Sequence, residues 1–507
     1  MQEYSISDLQ AMMKSGEMTS RLITESYLKR IESLDRNGPR VNSVIEINPD
    51  AMAIAAERDE ERRKGRLRGP LHGVPILVKD NIDTHDRMQT TSGSLALEGH
   101  VARKDAFLVR RLRNSGAVLL GKTNLSEWAN FRGKRSISGW SSRGGLTRNP
   151  YALDRSACGS SSGSGAAVAA NFCAAAIGTE TDGSIICPAQ TNGIVGIKPT
   201  LGLVSRSGII PIAHSQDTAG PMARTVADAA ILLSVIAGWD PSDQATRHQR
   251  NRIGRNLLID LDQKGLQGAR IGIARNMAGT DPRVTKILDS AIDSMKECGA
   301  VILDPANLPN YDKFTKTELE VLLFEFKADL NKYLGESRAR VKSLEAVILF
   351  NEANRDRVLQ YFGQERMLSA QEKSGLLDKK YRMALAKNHL LTRRNGIDSV
   401  FRKYKLDAIV VPSGGPAWLI DMINGDSINW DMESSSPPAV AGYPHLTVPA
   451  GSISGLPIGL SFIGRAWQEA VLIRLAYAFE QATLARRPPE FHVSSELDKN
   501  PKTQNHL

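Results

Sequence analysis

A run of small and polar residues near the middle of the chain has the residue types that acyl transfer requires. Residues 178–185 read Gly-Thr-Glu-Thr-Asp-Gly-Ser-Ile and follow the apolar segment 173–177, which is typical of a buried strand. We therefore predict that residues 179–184 form the turn at the end of this strand. If the N–H groups of Thr181, Asp182, Gly183 and Ser184 converge there, they form an oxyanion hole beside the Ser184 hydroxyl. A polar loop without catalytic function is the alternative interpretation.

Two upstream segments supply the groups that a serine nucleophile needs. Residues 156–165 are rich in glycine and serine and lead into an alanine-rich run that predicts a helix. Residues 71–81 predict a short apolar strand that ends on Lys79. Serine is a poor nucleophile until a base removes its proton, and these motifs contain no histidine suited to that role. Lys79 can be the base only if it is neutral, so we expect burial to lower its pKa.

Together, and in this order, the three segments resemble the amidase signature family of serine hydrolases. The resemblance implies a Ser-cisSer-Lys triad in which Lys79 is the base, Ser160 the bridging serine and Ser184 the nucleophile. It also implies a cis peptide bond between Gly159 and Ser160. The expected fold is α/β, the amidase signature fold, in which helices surround a large mixed β-sheet. The further residues expected to support the site are Gly159, Ser161, Asn124 and Asp217.

From Asp8 to about Pro489 the chain is similar to a bacterial branch of this family, the peptide amidases, which deamidate C-terminal carboxamides. The implied substrate is a peptide amide or an N-blocked amino acid amide, and no cofactor or metal ion is expected. One departure lies in residues 158–163, Cys-Gly-Ser-Ser-Ser-Gly, because the wider family more often has glycine at 158 and 162. Candidates for the wall of the acyl pocket are Trp418, Trp430, Tyr443 and Trp467.

The resemblance also predicts how the chain is divided. Residues 1–68 are expected to be helices that pack on the core, and residues 490–507 a polar tail. Residues 69–489 would form a single domain whose catalytic core spans 69–235. Downstream of Arg270, patterns typical of strands and helices alternate, which favours an α/β fold. The predicted strands there are 270–274, 300–303, 406–412, 447–450 and 458–463, and the predicted helices are 282–297, 316–334, 342–360, 377–402 and 468–484.

Two other motifs fit catalytic patterns formally. Residues 116–123 match the P-loop pattern G-x-x-x-x-G-K-[ST], but their apolar centre predicts a strand, whereas a phosphate-binding loop must be flexible. Residues 159–163 match G-x-S-x-G and nominate Ser161 as an α/β-hydrolase nucleophile, with His214 and His445 as candidate bases. That alternative needs a strand directly before the motif, where residues 149–156 predict an irregular loop.

Three further functions compete with a peptide amidase. The first is a broad hydrolase of small aliphatic or aryl amides that uses the same triad. The second is an ammonia-transferring A-type subunit of a tRNA-dependent amidotransferase, which would need partner chains and glutamine. The third is a non-catalytic binding protein on the same scaffold, which the presence of all three triad residues disfavours.

Composition and charge exclude several classes of protein. The 507 residues are 41% hydrophobic and 24% charged, as in an ordinary globular chain, and the net charge of +10 is dispersed through mixed runs such as 57–64. We therefore expect an amide substrate as the partner, with no nucleic acid, no membrane and no obligate protein partner. Cys158, Cys173, Cys187 and Cys298 lack metal-binding spacing, and so few cysteines fit a reducing cytoplasm. A cytoplasmic location is expected, with export after removal of a signal peptide as the alternative.

Overall fold

A mixed β-sheet of eleven strands organises the chain in the computed structural model, which describes residues 2–249, 257, 261–428, 432 and 434–495. The strands are β1 (Val44–Ile47), β2 (Pro75–Lys79), β3 (Val118–Thr123), β4 (Trp140–Ser141), β5 (Gly145–Leu146), β6 (Ala175–Glu180), β7 (Val195–Lys198), β8 (Thr218–Ala223), β9 (Arg270–Ile273), β10 (Val301–Leu303), β11 (Ala408–Pro412), β12 (His445–Ile453) and β13 (Leu456–Ile463). The main sheet has the order β1-β3-β2-β6-β8-β7-β12-β13-β11-β9-β10, and β4 and β5 form a separate hairpin.

Sixteen α-helices of the described residues surround this sheet. They are α1 (Ile6–Ser15), α2 (Ser20–Arg30), α3 (Ala51–Arg63), α4 (Phe107–Asn114), α5 (Ser162–Ala169), α6 (Ile186–Thr191), α7 (Val226–Ile236), α8 (Pro282–Glu297), α9 (Thr315–Glu336), α10 (Leu344–Ala353), α11 (Arg355–Val358), α12 (Glu365–Gln371), α13 (Lys379–His389), α14 (Asp398–Tyr404), α15 (Ser436–Ala441) and α16 (Glu469–Thr483). The α/β prediction is therefore confirmed, with a large mixed sheet and surrounding helices as in the amidase signature fold.

Three parallel strands at the centre determine where the polar segments meet. Strand β2 pairs in parallel with β3 on one side and with β6 on the other. All three are buried along their whole length, which explains their nearly continuous apolar sequences. Because parallel strands end at the same edge of a sheet, Lys79, Thr123 and Glu180 lie at one edge. Lys79 and Thr123 are direct partners in the register.

Packing around the sheet comes from helices rich in small and aliphatic residues. Helix α5 is fully buried and packs on β2, β3, β6 and β8, and its glycine and alanine side chains permit this close approach. A second cluster joins α9 to the segment after β3: it contains Trp128 and Leu330, and the rings of Phe131 and Phe326 lie 5.0 Å apart in it. Helix α9 is thereby held over the polar edge of the sheet.

The strand and turn of the central motif differ from the prediction. Strand β6 continues to Glu180, because Gly178, Thr179 and Glu180 pair with residues of β8, so the turn begins at Thr181. Thr179 and Glu180 are therefore strand residues. In the β12–β13 hairpin only Ser454 and Gly455 lie in the turn, both with positive φ (50° and 77°), and β13 begins at Leu456, before the predicted start at residue 458.

Several helix boundaries also differ from the prediction. The single helix expected at 377–402 is divided into α13, a π-helical segment at 390–397 and α14, and Gly396 has non-helical dihedrals where the chain changes direction. The helix expected at 342–360 ends at Ala353 and is followed by α11. Ser5 caps α1 through a capping box with Asp8, and the Thr19 side chain caps α2.

The N-terminal segment contributes more than helices, because residues 44–47 form strand β1 at the edge of the main sheet. The division into 1–68, 69–489 and 490–507 stays a prediction. Within the described ranges, no helix is both long enough and apolar enough to cross a membrane.

Candidate active site

Lys79 ends strand β2 and is fully buried. Its Nζ atom lies 2.8 Å from Ser160 Oγ, 3.0 Å from Ser161 Oγ and 2.9 Å from Thr179 Oγ1. Burial lowers the pKa of Lys79 well below its ordinary value, and Glu180 and Asp217 oppose the shift because negative charge favours the ammonium form. Lys79 is therefore a buried lysine whose neutral form is favoured and whose neighbours are hydroxyl groups.

The loop before α5 presents the two serines to Lys79. The Gly159–Ser160 peptide bond is cis, as the resemblance implied. Ser160 is fully buried, and its carbonyl accepts a hydrogen bond from the Ser126 N–H (3.1 Å). A Cβ atom on Gly159 would lie 2.1 Å from Ser126 Oγ, so a larger residue fits at this position only if the Ser126 side chain or the loop moves.

Ser161 has a different set of partners from Ser160. Its hydroxyl donates to the carbonyl oxygen of Thr179 (3.0 Å) and accepts from the N–H of the same residue (3.2 Å). With its proton directed at a backbone carbonyl, Ser161 meets Lys79 as a hydrogen-bond acceptor. This arrangement orients the lysine and leaves the hydroxyl of Ser160 beside Nζ.

The turn at residues 181–184 follows β6 directly and carries Ser184, which is 7% exposed. Among the described residues, none of the N–H groups of Thr181, Asp182, Gly183 and Ser184 has a hydrogen-bond acceptor. Gly183 has a φ of +75°, a conformation that favours glycine. The carbonyl of Ser184 accepts from the Ser161 N–H (3.2 Å), which ties the turn to the serine loop. Among the residues that the structure describes, the hydroxyls of Ser160 and Ser184 form no direct hydrogen bond with each other.

Three carboxylates support this turn, two of them from outside it. Glu180 accepts the N–H groups of Ile185 (2.7 Å) and Ile186 (3.0 Å), and burial raises its pKa. Asp217 accepts the Thr181 hydroxyl (2.5 Å), and burial raises its pKa to about 6. The third carboxylate, that of Asp182, belongs to the turn itself and bonds to two serines of a distant loop.

Asp182 and Asn124 connect the site to distant loops. The Asp182 carboxylate accepts the hydroxyls of Ser435 and Ser436, each at 2.6 Å. The Asn124 amide donates to the carbonyl of Gly145 (3.0 Å) and to the Thr147 hydroxyl (3.1 Å), so it fixes the loop that contains β4 and β5. Asp217 also accepts the N–H groups of residues 212 and 213, so it caps a turn as well as holding Thr181.

Sequence reasoning missed four polar residues of the site. Thr179 and Glu180 lie inside the central motif, and their polarity at the end of a buried strand was the available signal. Ser435 and Ser436 lie more than 250 residues away along the chain, and no local pattern marks them. Their role depends on contacts that only the folded chain creates.

A cavity of about 610 Å³ opens on the Ser184 side of the turn. Apolar residues from distant segments, among them Phe131, Ile186, Leu319 and Leu322, form much of its wall. Charged side chains also contribute to it, namely Asp281, Arg283, Lys316, Glu318 and Arg366. Volume and lining suit a small organic or peptide ligand with a few polar anchors.

The predicted aromatic wall is only partly present. Trp418 lines the cavity, and its Nε1 donates to Asp426 (3.1 Å). Tyr443 instead donates to Asp398 (3.0 Å) beside α14, and the backbone N–H of Trp467 donates to Thr200 (2.8 Å). Neither of these two residues lines the cavity; Tyr443 packs against the cluster that contains Phe401 and Ile463 instead. Trp430 lies outside the described residues.

The alternative motifs lack the structures they need. The segment 118–123 is the buried strand β3, so the P-loop interpretation fails as expected. No strand directly precedes Ser161, and Ser161 is fully buried. The candidate bases are engaged elsewhere: His445 bonds to Ser461 (2.6 Å) and His214 to Asp329 (2.8 Å).

One group of side chains has the composition of a metal site, namely His214, Glu325 and Asp329. Its members already satisfy one another and the backbone, because Asp329 accepts from His214 and Glu325 accepts from the Ser215 N–H and the Tyr381 hydroxyl. The group is therefore a hydrogen-bonded cluster near Asp217.

A mixed α/β sheet with a buried lysine bonded to serines at its carboxyl edge is typical of serine hydrolases that use lysine as the base. The protein-family model named Amidase matches residues 22–473. A protein named probable amidase from Arabidopsis thaliana is 43% identical over 501 residues, which cover 97% of this chain and 92% of that protein. The chain belongs to the amidase family and is an amide-hydrolysing enzyme.

Two further relatives represent different activities within the family. The crystal structure of native peptide amidase from Stenotrophomonas maltophilia superposes with a TM-score of 0.93 and 53% identity, covering 96% of this chain and 99% of that one. The A subunit of glutamyl-tRNA(Gln) amidotransferase from Symbiobacterium thermophilum is 36% identical, with 94% of this chain and 96% of that protein covered.

Proposed function

We propose that this enzyme removes the amide group from C-terminal carboxamides of peptides or N-blocked amino acid amides and releases ammonia. The observation that carries the proposal is the 2.8 Å hydrogen bond between the buried Lys79 amine and Ser160, next to the turn that carries Ser184. In this proposal Lys79, Ser160 and Ser184 form the catalytic relay. The N–H groups of residues 181–184 form the oxyanion hole.

Support for Lys79 as the base comes from its surroundings. A lysine with a strongly lowered pKa is a proton acceptor near neutral pH, and its partners here are hydroxyls and a carbonyl. Because Ser161 directs its own proton at Thr179, Ser160 is the serine that can pass a proton to Lys79. Ser161, Gly159, Asn124 and Asp217 are assigned supporting roles.

In the acylation step, Ser160 receives the Ser184 proton while Lys79 receives the Ser160 proton. Ser184 Oγ then attacks the amide carbon, and the N–H groups of the turn stabilise the oxyanion of the tetrahedral intermediate. The carbon–nitrogen bond breaks as the relay returns a proton to the nitrogen, and ammonia leaves. The hydroxyls of Ser160 and Ser184 approach each other when substrate is bound, as catalytic hydrogen bonds often tighten only in the complex.

In the deacylation step, water attacks the ester on Ser184 while the same relay takes its proton. The ester bond breaks, Ser184 regains its proton, and the product is the free carboxylic acid. No cofactor takes part, and every group that moves a proton belongs to this chain.

Support for a peptide substrate comes from the cavity and from the likeness to peptide amidase. A volume of about 610 Å³ exceeds what a simple aliphatic amide fills, and the mixed apolar and charged wall suits a peptide backbone with side chains. At 53% identity over nearly the whole of both chains, the peptide amidase is the relative whose activity best fits this cavity. A broad small-amide hydrolase is the alternative that uses the same relay.

An amidotransferase A-type subunit is a second candidate, favoured by the 36% identity to one such subunit. It would release ammonia from glutamine and pass it to a partner chain. We propose instead that this enzyme acts without an obligate partner, because its 53% identity to peptide amidase exceeds its 36% identity to that subunit. Glutamine-dependent ammonia release and copurification of partner chains would support the amidotransferase.

The decisive experiment measures ammonia released from C-terminally amidated peptides, simple aliphatic amides, aryl amides and glutamine. The wild type, Ser184→Ala and Ser161→Ala are compared. Release from peptide amides that falls by about 10⁴-fold or more in Ser184→Ala supports both the substrate and the nucleophile. Ser161→Ala should retain measurable activity, because Ser161 only orients Lys79. Activity confined to small amides favours the broad hydrolase, and full activity of Ser184→Ala contradicts the relay.

A further inference from the structure

A disulfide bond crosses the candidate active site. Cys158 and Cys187 are bonded, with their Cα atoms 5.9 Å apart. Cys158 lies two residues before Ser160, and Cys187 lies three residues after Ser184. Both cysteines line the cavity that holds Ser184. The bond therefore joins the loop of the bridging serine to the segment of the nucleophile.

The backbone conformation at position 158 is unfavourable for a cysteine. Its φ is +53°, in the left-handed region that favours glycine. A cysteine in such a conformation is held by its surroundings: its N–H donates to the Ser156 hydroxyl (3.1 Å), its carbonyl accepts the Ser162 hydroxyl, and the disulfide is the link that its side chain provides. Cys187 sits in the first turn of α6, where its N–H donates to Gly183 O (2.8 Å), so it moves together with the nucleophile turn.

We propose that Cys158 and Cys187 are a positioning pair, whose disulfide holds Ser160 and the Ser184 turn at the separation that proton transfer requires. This inference rests on the proposed function. Weaker links cross the same gap, among them the hydrogen bonds from Ser161 N–H to Ser184 O and from Asn192 Nδ2 to Ala157 O. Breaking the disulfide therefore loosens the site without dismantling it.

The pair makes catalysis depend on the redox environment. A dithiol reductant breaks the sulfur–sulfur bond, giving two cysteine thiols, while the reductant is oxidised to its own disulfide. Disulfides persist in oxidising compartments and are rare in the cytoplasm. The sequence-based expectation of a reducing cytoplasm rested on the small number of cysteines alone, and this bond favours an oxidising location instead.

The chain offers its own controls, because Cys173 is buried in the core and Cys298 lies at the end of α8, both outside the cavity. The double variant Cys173→Ala/Cys298→Ala leaves only the proposed pair. Thiol titration should then find no free thiol in the oxidised protein and two after treatment with dithiothreitol. Two free thiols in protein isolated under oxidising conditions would overturn the proposal.

The functional test uses this background and measures kcat and KM for a peptide amide before reduction, after reduction and after reoxidation. A fluorophosphonate that labels the nucleophilic serine provides a second readout, independent of amide specificity. We expect kcat and the labelling rate to fall by about tenfold on reduction and to recover on reoxidation, at a temperature where circular dichroism shows a folded protein. A lower melting temperature with unchanged kcat and labelling would assign a purely structural role and overturn the inference.

Two variants separate the effect of losing the disulfide from the effect of relieving the left-handed backbone conformation at position 158. Cys187→Ala removes the bond and should reproduce the effect of reduction, with no further response to dithiothreitol. Cys158→Gly removes the bond and also relieves the left-handed backbone, and it should show the same loss if position rather than strain limits the rate. Wild-type kcat in Cys158→Gly would contradict the proposal. If the oxidised enzyme is labelled normally but releases ammonia from no amide, the proposed function fails while the labelling experiment still tests the pair.

Discussion

The two sides of the site are built in different ways. The side that carries Lys79, Ser160 and Ser184 is made from three short segments within about one fifth of the chain, and its polar groups bond to one another and to the strand ends. The cavity wall is assembled from loops and helices spread from Ala129 to Ser435. The first side fixes atoms for a reaction, whereas the second provides a surface for a substrate, and they should respond differently to substitution.

The largest expected effect comes from Lys79→Met, which keeps a side chain of similar length and removes the base. We expect kcat for a peptide amide to fall by about 10⁴-fold, because no other group near Ser160 can accept its proton. Lys122→Met is the matched control: Lys122 is also a fully buried lysine at the end of a central strand, but it bonds to Ile82 O (2.7 Å) and Thr90 (2.9 Å). Equal losses in both folded variants would show that burial of a lysine, and not its contact with Ser160, matters.

The difference between the two sides also explains what the sequence reveals. The glycine and serine motifs and the apolar strand before Lys79 are local patterns, so the reacting residues and the α/β class could be predicted. The end of β6 could not, because its last residues are strand only through pairing with β8, about 40 residues downstream. The prediction of one helix at 377–402 was wrong for a related reason. A single glycine, Gly396, is compatible with a continuous helix in the sequence, and its non-helical dihedrals arise only in the folded chain.

The wall of the cavity was beyond prediction because it depends on contacts between remote segments. Gln190, for example, donates to the carbonyl of Gly415, 225 residues away, and the Asp182 carboxylate accepts hydroxyls of serines 253 and 254 residues downstream. The disulfide is a similar case, since a spacing of 29 residues does not reveal that two Cα atoms lie 5.9 Å apart. Aromatic residues near the end of the chain were plausible wall residues by type, and only Trp418 among the described ones is in the wall.

A smaller but still large effect is expected from Gly159→Ala. The new Cβ atom would lie 2.1 Å from Ser126 Oγ, so either this hydroxyl, which accepts the Gly139 N–H (2.9 Å), or the serine loop must move, and we expect the loop to move and displace Ser160 relative to Lys79. We expect kcat to fall by about 100-fold with little change in KM, because displacement of a reacting group by about 1 Å has an effect of this size.

The control for this variant is Gly335→Ala in α9, where an added Cβ meets no atom within 4 Å. It should leave kcat unchanged and raise stability slightly, by about 1 kcal/mol, through helix propensity. Wild-type kcat in folded Gly159→Ala would mean that the catalytic side tolerates displacement, and the contrast between the two sides would fail.

The pH dependence of kcat/KM also tests the side of the site that carries Lys79, Ser160 and Ser184. Protonated Lys79 cannot accept a proton, so the rate should fall about tenfold per pH unit below the Lys79 pKa and level off above it. Because burial lowers that pKa, this limb should lie well below the ordinary range for lysine. Asp217→Asn removes a negative charge that favours the ammonium form, so it should move the limb to lower pH. A limb near the ordinary lysine value, or one that Asp217→Asn moves upward, would contradict Lys79 as the base.

The smallest effect is expected on the substrate side, from Trp418→Ala. This residue contributes an aromatic surface to the cavity and has no contact with the relay, so kcat/KM for a peptide amide should fall about tenfold, mainly through KM. Activity on a small aliphatic amide and the rate of Ser184 labelling should not change. Leu419→Ala is the neighbouring control, because Leu419 is 53% exposed and outside the cavity lining. A loss that is equal for large and small amides would mean that Trp418 supports the reacting groups, and the two sides would then be one structural unit.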